Sequence, residues 1–217
     1  MNMGAALPNS AVFTHTKPQS SPFDLADDST YQRWRAWKLA SRARHPDALL
    51  VDVADPRALS ATERRALRMR LQHHNMALYR SPVREADKSI PRQLAAQLGM
   101  QQLDANWLAD EDGISSIAIS EASDGRGGFI PYTKRAIRWH TDGYYHPDER
   151  RIRGMVLHCV RPAAQGGVNA LLDPELAYIA LRDASPAHIA ALTQPGVMTI
   201  PARDNDDGVA RAAQTGP

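Results

Sequence analysis

The stretch RAIRWHTDGYYHPDE, residues 135–149, decides the fold, because Ile137 and Trp139 alternate with Arg138 and His140 at the period of a β-strand. In an extended chain the side chains of residues i and i+2 share a side, with Cα atoms roughly 6.6 Å apart. His140 and Asp142 are therefore expected to face one ion together, whereas the same spacing on a helix would splay them. Gly143 predicts a turn immediately afterwards, which puts the pair at the rim of a sheet, where sites are built. One imidazole and one carboxylate make up two thirds of the 2-His-1-carboxylate set that holds non-haem Fe(II) and leaves positions open for other ligands. Neither is a soft ligand, which disfavours Cu(I) and iron–sulfur clusters. A bare His-x-Asp recurs by chance, so the surrounding sequence has to decide.

Upstream the pattern is helical. Residues 1–28, with Pro8, Pro18 and Pro22 and no sustained period, read as a loose leader. Ser29 or Thr30 can cap a helix to about Arg44, with Tyr31, Trp34 and Trp37 on one face. Ser60-Ala-Thr-Glu63 has the form of a capping box and opens a second, arginine-rich amphipathic helix. Met76–Tyr79 reads as a short strand, and Ile90–Leu98 as a third helix stopped by Gly99. From about residue 114 the runs shorten and alternate: Ile114–Ile119, Arg135–Trp139, Gly154–Val160, Val168–Leu172 and Val197–Ile200 read as strands, with a helix from Asp173-Pro174 to about Arg182 among them. Helices first and strands afterwards argue against a parallel βαβ sheet. They favour an α+β fold, an antiparallel sandwich or jelly roll with helices outside.

The bulk numbers narrow the function. With 26 basic and 24 acidic residues in 217 the net charge is +2, too small a bias to make nucleic acid or an anionic membrane the main partner. A small-molecule substrate fits, and a homo-oligomer is compatible with everything seen. The single cysteine, Cys159, cannot form a disulfide within the chain and reads as a buried small hydrophobe in an apolar strand. No apolar run approaches a membrane span, and a cytoplasmic location is expected. Asp124-Gly-Arg-Gly-Gly128-Phe129 is glycine-rich, but no Lys-Ser/Thr closes it, and it reads as a turn.

Trp139-His140-Thr141-Asp142, followed by Leu157–Ala163 and by Gln165-Gly166-Gly167 leading into Val168–Asp173, resembles the TauD/TfdA-type Fe(II)/2-oxoglutarate-dependent dioxygenases over roughly residues 76–200. The resemblance implies a double-stranded β-helix, the cupin-like jelly roll, here with its barrel incomplete. With the leader at 1–28 set aside, the rest is expected to be a dioxygenase domain, 29–217, with a helical part, 29–110, and a partial jelly roll, 111–217. The resemblance implies Fe(II) as metal and 2-oxoglutarate as cosubstrate, converted to succinate and CO2 while a small organic substrate is hydroxylated. Carried over by position, His140 and Asp142 are metal ligands. Asn169, where that family has Thr or Ser, is a 2-oxoglutarate contact, since an amide can donate to a carboxylate as a hydroxyl does. Tyr144 is a substrate-lining candidate, Tyr144 and Tyr145 being open to plain packing as well.

The family's third ligand, a histidine, and its carboxylate-clamping arginine are not evident. His146 is too near in sequence to come from another strand, His158 sits on a strand with its direction open, and His188 falls in a helical pattern. Arg203 and Arg211 lie in what reads as a polar terminal loop. The simplest account is a chain that stops before the barrel is complete, with little or no turnover expected from these 217 residues alone. Lys134, Arg135, Arg138, Arg150, Arg151 and Arg153 flank the motif, a positive rim suited to an anionic ligand or simply solvated charge. Two rivals stay open: a non-catalytic binding or regulatory module on the same fold, and another cupin-like enzyme using Mn(II) or Zn(II).

Overall fold

The computed structural model describes residues 21–103, 109–120, 126, 129–205 and 208–216. The first element, α1 (Asp28–Ser41), is capped by Asp27, ahead of the expected Ser29 or Thr30, because the Asp27 carboxylate accepts from the Thr30 amide at 2.9 Å and from the Thr30 hydroxyl at 2.8 Å. Tyr31 is buried and Trp34 half-buried, in edge contact with Tyr178 and Phe23. Trp37 stays exposed beside His73, and the buried position one residue on belongs to Lys38. Residues 21–27 are correspondingly more than a loose leader: Arg182 donates to the carbonyls of Pro22 and Asp24, and Phe23 packs on Trp34. The rest of the leader, 1–20, lies outside the described residues.

A βαβ unit follows. Strand β1 (Leu50–Asp52), helix α2 (Ala61–His74) and strand β2 (Leu78–Arg80) form it, with Leu50 opposite Leu78 and Asp52 opposite Arg80 in a parallel pair. The sequence argument against parallel pairing fails here, because Leu50–Asp52, at three residues, is too short to show a period and leaves the strand read at 76–79 without its partner, yet a helix of 14 residues is enough crossover to bring the two side by side. The capping box forms in full: Ser60 Oγ accepts from the Glu63 amide at 3.2 Å, and Glu63 accepts from the Ser60 amide at 2.7 Å. Asn75 ends α2 in the left-handed region at φ 57°. Helix α3 (Ser89–Gln97) stops at Gly99, φ +100°, as expected. Val51, Val53, Leu59, Leu67 and Leu94 make the core between these elements, and Val156 from the second half packs against it.

The second half carries fewer strands than its pattern predicts. Helix α4 (Pro174–Ala184) is capped by Asp173, and Ser185 both ends it and caps α5 (Pro186–Leu192). Strand β3 (Thr199–Ile200) pairs antiparallel with β6 (Gln214–Thr215), and β4 (Arg203–Asn205) with β5 (Gly208–Arg211), so the expected polar terminal loop is in fact a hairpin beside a second strand pair. Among the described residues, 114–119, 135–139, 154–160 and 168–172 join no ladder, and the result is a mixed α/β structure of two-stranded sheets with no closed barrel. Alternation fixes which side a residue faces, but a strand also needs a neighbour's N–H and C=O in register. Their large apolar side chains are accordingly exposed, among them Ile119, Trp139, Leu157 and Val168. Cys159 is exposed with them, contrary to the buried position expected of it. Most of the glycine-rich segment 124–128 lies outside the described residues. No described helix is long and apolar enough to cross a membrane.

Candidate metal centre

The segment 136–141 takes no regular form, and a turn begins at Asp142. Gly143 adopts φ +63°, and the His146 amide donates to the Gly143 carbonyl at 2.9 Å. A Cβ at Gly143 would lie 2.7 Å from Ile152 Cδ1 and 2.8 Å from His146 Nδ1, so both conformation and space call for glycine. The predicted turn is present without the predicted strand before it.

His140 and Asp142 nevertheless converge. His140 Nε2 lies 3.6 Å from Asp142 Oδ1, and both side chains are a little under half exposed. His140 Nδ1 stands 2.7 Å from the Arg138 carbonyl oxygen. A carbonyl can only accept, so Nδ1 carries the proton, and the tautomer this selects has its lone pair at Nε2, on the side of the carboxylate. That is the tautomer a metal ligand needs, fixed by an outer hydrogen bond of the kind metal-bound histidines make. Two donors about 2.1 Å from one ion and at right angles to each other stand about 3 Å apart. A separation of 3.6 Å between Nε2 and Oδ1 needs only a small side-chain rotation to reach this, and a hard nitrogen–oxygen pair suits ferrous iron.

The stand-in histidines go elsewhere. His146 Nδ1 is 3.2 Å from the Arg150 carbonyl. His158 stacks on Tyr79 with its Nδ1 2.5 Å from the phenolic oxygen. Burial pushes the His158 imidazole below its ordinary range and the Tyr79 phenol above its own, so both are neutral near pH 7. His188 is exposed on α5. Among the described residues no group of three or more His, Cys, Asp or Glu side chains is placed to hold an ion.

Tyr144 is 40% exposed and meets Tyr145 edge to face at 5.1 Å. The backbone of this pair backs onto Gly216, where a Cβ would come within 2.7 Å of the Tyr144 carbonyl oxygen, so the β3–β6 pair closes against the motif turn. Asn169 is exposed, its amide reaching the Gly167 carbonyl at 3.5 Å, and it follows two glycines in the left-handed region, Gly166 at φ +69° and Gly167 at φ +68°. All six flanking basic residues are exposed, and Arg151 pairs with Asp148. The Tyr79–His158 contact joins two segments that each read as strands, 76–79 and 154–160, but 79 residues separate the two side chains and neither pattern points to the other.

A family model described as taurine catabolism dioxygenase TauD, TfdA family matches residues 39–214. The chain belongs to the TauD/TfdA family. No curated protein and no solved structure matches it. Membership in the TauD/TfdA family implies the double-stranded β-helix and suggests Fe(II)/2-oxoglutarate dioxygenase activity. The matched span contains the motif turn, Gly166-Gly167 and Asn169, and begins within α1, after Lys38.

Proposed function

We propose that the protein is an Fe(II)- and 2-oxoglutarate-dependent dioxygenase that hydroxylates a small organic substrate. The observation that carries this reading is the His140–Asp142 pair: an imidazole with its lone pair fixed at Nε2, facing a carboxylate oxygen at 3.6 Å, within the matched span of a dioxygenase family. Ferrous iron bound there would supply oxidative chemistry in which one atom of O2 enters succinate and the other the substrate's new hydroxyl, with CO2 released from 2-oxoglutarate.

The chain's own residues hold and orient. The Arg138 carbonyl keeps the His140 proton on Nδ1, and the Gly143 turn holds Asp142 beside the ring. Asn169 is the residue assigned to donate its amide N–H to a 2-oxoglutarate carboxylate, and Tyr144 to line the substrate side. Exposed Lys134, Arg135, Arg138 and Arg153 raise the local concentration of a dicarboxylate. A small-molecule substrate, rather than nucleic acid or membrane, fits the near-neutral total charge. The exposure of both ligand side chains keeps a second reading in view, that of a metal- or ligand-binding module without turnover.

Anaerobic titration with Fe(II), followed by assay of succinate formed per O2 consumed, tests the proposal. His140→Ala and Asp142→Ala are each expected to weaken Fe(II) binding by at least about tenfold, and 2-oxoglutarate uptake is expected to require the metal. Unchanged Fe(II) affinity in both variants would overturn the site. Metal binding without any dependence on 2-oxoglutarate and O2 would favour a binding module or another cupin-like metal enzyme.

A further inference from the structure

We propose that residues 21–38 form a clamp that fixes α4 and, through Asp173, the segment 166–172 that precedes it, with Lys38 as the positioning residue. These residues lie outside the span matched by the family. Lys38 is fully buried on α1, and its ammonium group uses all three donors: on Asp173 Oδ2 at 2.7 Å, on the Glu175 carboxylate, and on the His73 carbonyl at 2.8 Å. Asp173 is itself buried. Its other oxygen accepts from Asn75 Nδ2 at 2.9 Å and from the Glu175 amide at 3.0 Å, which makes it the cap of α4 as well. One network thus joins α1, the end of α2 and the start of α4.

The far end of α4 is held by the same segment. Asp183 accepts from Tyr31 Oη at 2.7 Å and from Arg35 at 2.6 and 2.8 Å. Arg182, also buried, lies 3.9 Å from the Tyr31 ring centroid and donates to the Pro22 and Asp24 carbonyls. Held at Asp173 and at Asp183, α4 can neither slide nor turn about its axis. A buried ion cluster is a poor way to gain stability, because desolvation offsets most of the attraction; here its partners come from α1, the end of α2 and the start of α4, which ties the three together.

That constraint matters because of what precedes Asp173. Among the described residues no backbone–backbone hydrogen bond ties 152–172 to anything else, so the course of 166–172 depends on its fixed end. Asn169 lies four residues from that end. To the extent that Asn169 serves 2-oxoglutarate, the inference rests on the function proposed above; the positional claim does not.

The test uses the full chain carrying Lys38→Met and, as a milder change that keeps the ammonium, Glu175→Gln. Backbone amide resonances of 168–172 are expected to shift in Lys38→Met and, less, in Glu175→Gln, while those of β1 and β2 stay. If Lys38→Met does not fold, Glu175→Gln carries the measurement. Under nitrogen with Fe(II), the apparent Kd for 2-oxoglutarate is expected to rise about tenfold in Lys38→Met and to stay unchanged in Val51→Ala, a core variant destabilised without touching the clamp. Resonances of 168–172 that stay put in the folded variants, or a Val51→Ala variant that loses affinity equally, would overturn the clamp. If the unaltered protein takes up no 2-oxoglutarate, the oxygenase reading fails, and the resonances alone decide the clamp.

Discussion

His140 and Asp142 were legible as a pair because their i, i+2 spacing limits how far apart they can be, and the structure brings them together even without the strand that was expected to do so. What spacing could not give is the proton: Nδ1 is set by the direction of the Arg138 carbonyl, a property of the local backbone path. Gly143 is where that path is most exacting. Gly143→Ala places a Cβ in the left-handed region and against Ile152 and His146, and should cost about 1–2 kcal/mol. The same turn holds Asp142, so Fe(II) affinity should fall together with the melting temperature. Thermal melts with and without metal check this, and an alanine variant as stable as the parent would show that the turn is not held as described. Tyr79–His158 is the converse case, a close contact between distant residues that no local pattern announces.

Helices were readable at the Ser60–Glu63 box, at Asp173-Pro174 and at Gly99, whereas the Asp27 cap of α1 lies ahead of the Ser29 or Thr30 expected. These signals are local: the residue that ends the helix also satisfies its free amides or adopts the left-handed conformation. Ser60→Ala removes the acceptor for the Glu63 amide and should destabilise the protein by about 1 kcal/mol, seen as a lower urea midpoint with an unchanged slope. Strands were read less well. Their alternation was correctly recognised as non-helical, but pairing depends on a partner elsewhere in the chain. Arg203–Asn205 and Gly208–Arg211, too polar to suggest strands, form a hairpin, while the more apolar 154–160 and 168–172 pair with nothing among the described residues.

Across the whole molecule, acid sensitivity should begin at the histidines. Burial lowers the pKa of His74 and of His158, with the charges of His73 and Lys38 adding to the effect at His74. A histidine held neutral in the folded state binds fewer protons than it does unfolded. Its contribution is therefore fully present above the unfolded value of about 6.5 and is lost as pH falls below it. Denaturant midpoints at pH 7.5 and 5.5 should differ, and replacing both histidines with Gln should flatten that difference; an equal difference in the double variant would assign it to other groups. Carboxylates held low, such as Asp183 beside Arg35 and Tyr31, act only at more acid pH. The order of helices and strands suggested a layered α+β molecule, and it missed the parallel unit at the N-terminal end because Leu50–Asp52, the partner of the strand read at 76–79, is three residues long and leaves almost no trace in a sequence.

The unpaired run at 155–160 has one more consequence, for how the protein behaves when concentrated. Met155-Val-Leu-His-Cys-Val160 carries neither proline nor formal charge, its Met155, Leu157 and Val160 are open to solvent, and such six-residue segments can stack between chains into cross-β fibrils. Arg153 and Arg161 flank it as gatekeepers whose mutual repulsion between stacked copies opposes that assembly. Replacing both with alanine should shorten the lag before thioflavin fluorescence rises, and an unaltered lag would mean that some other segment governs the protein's solubility.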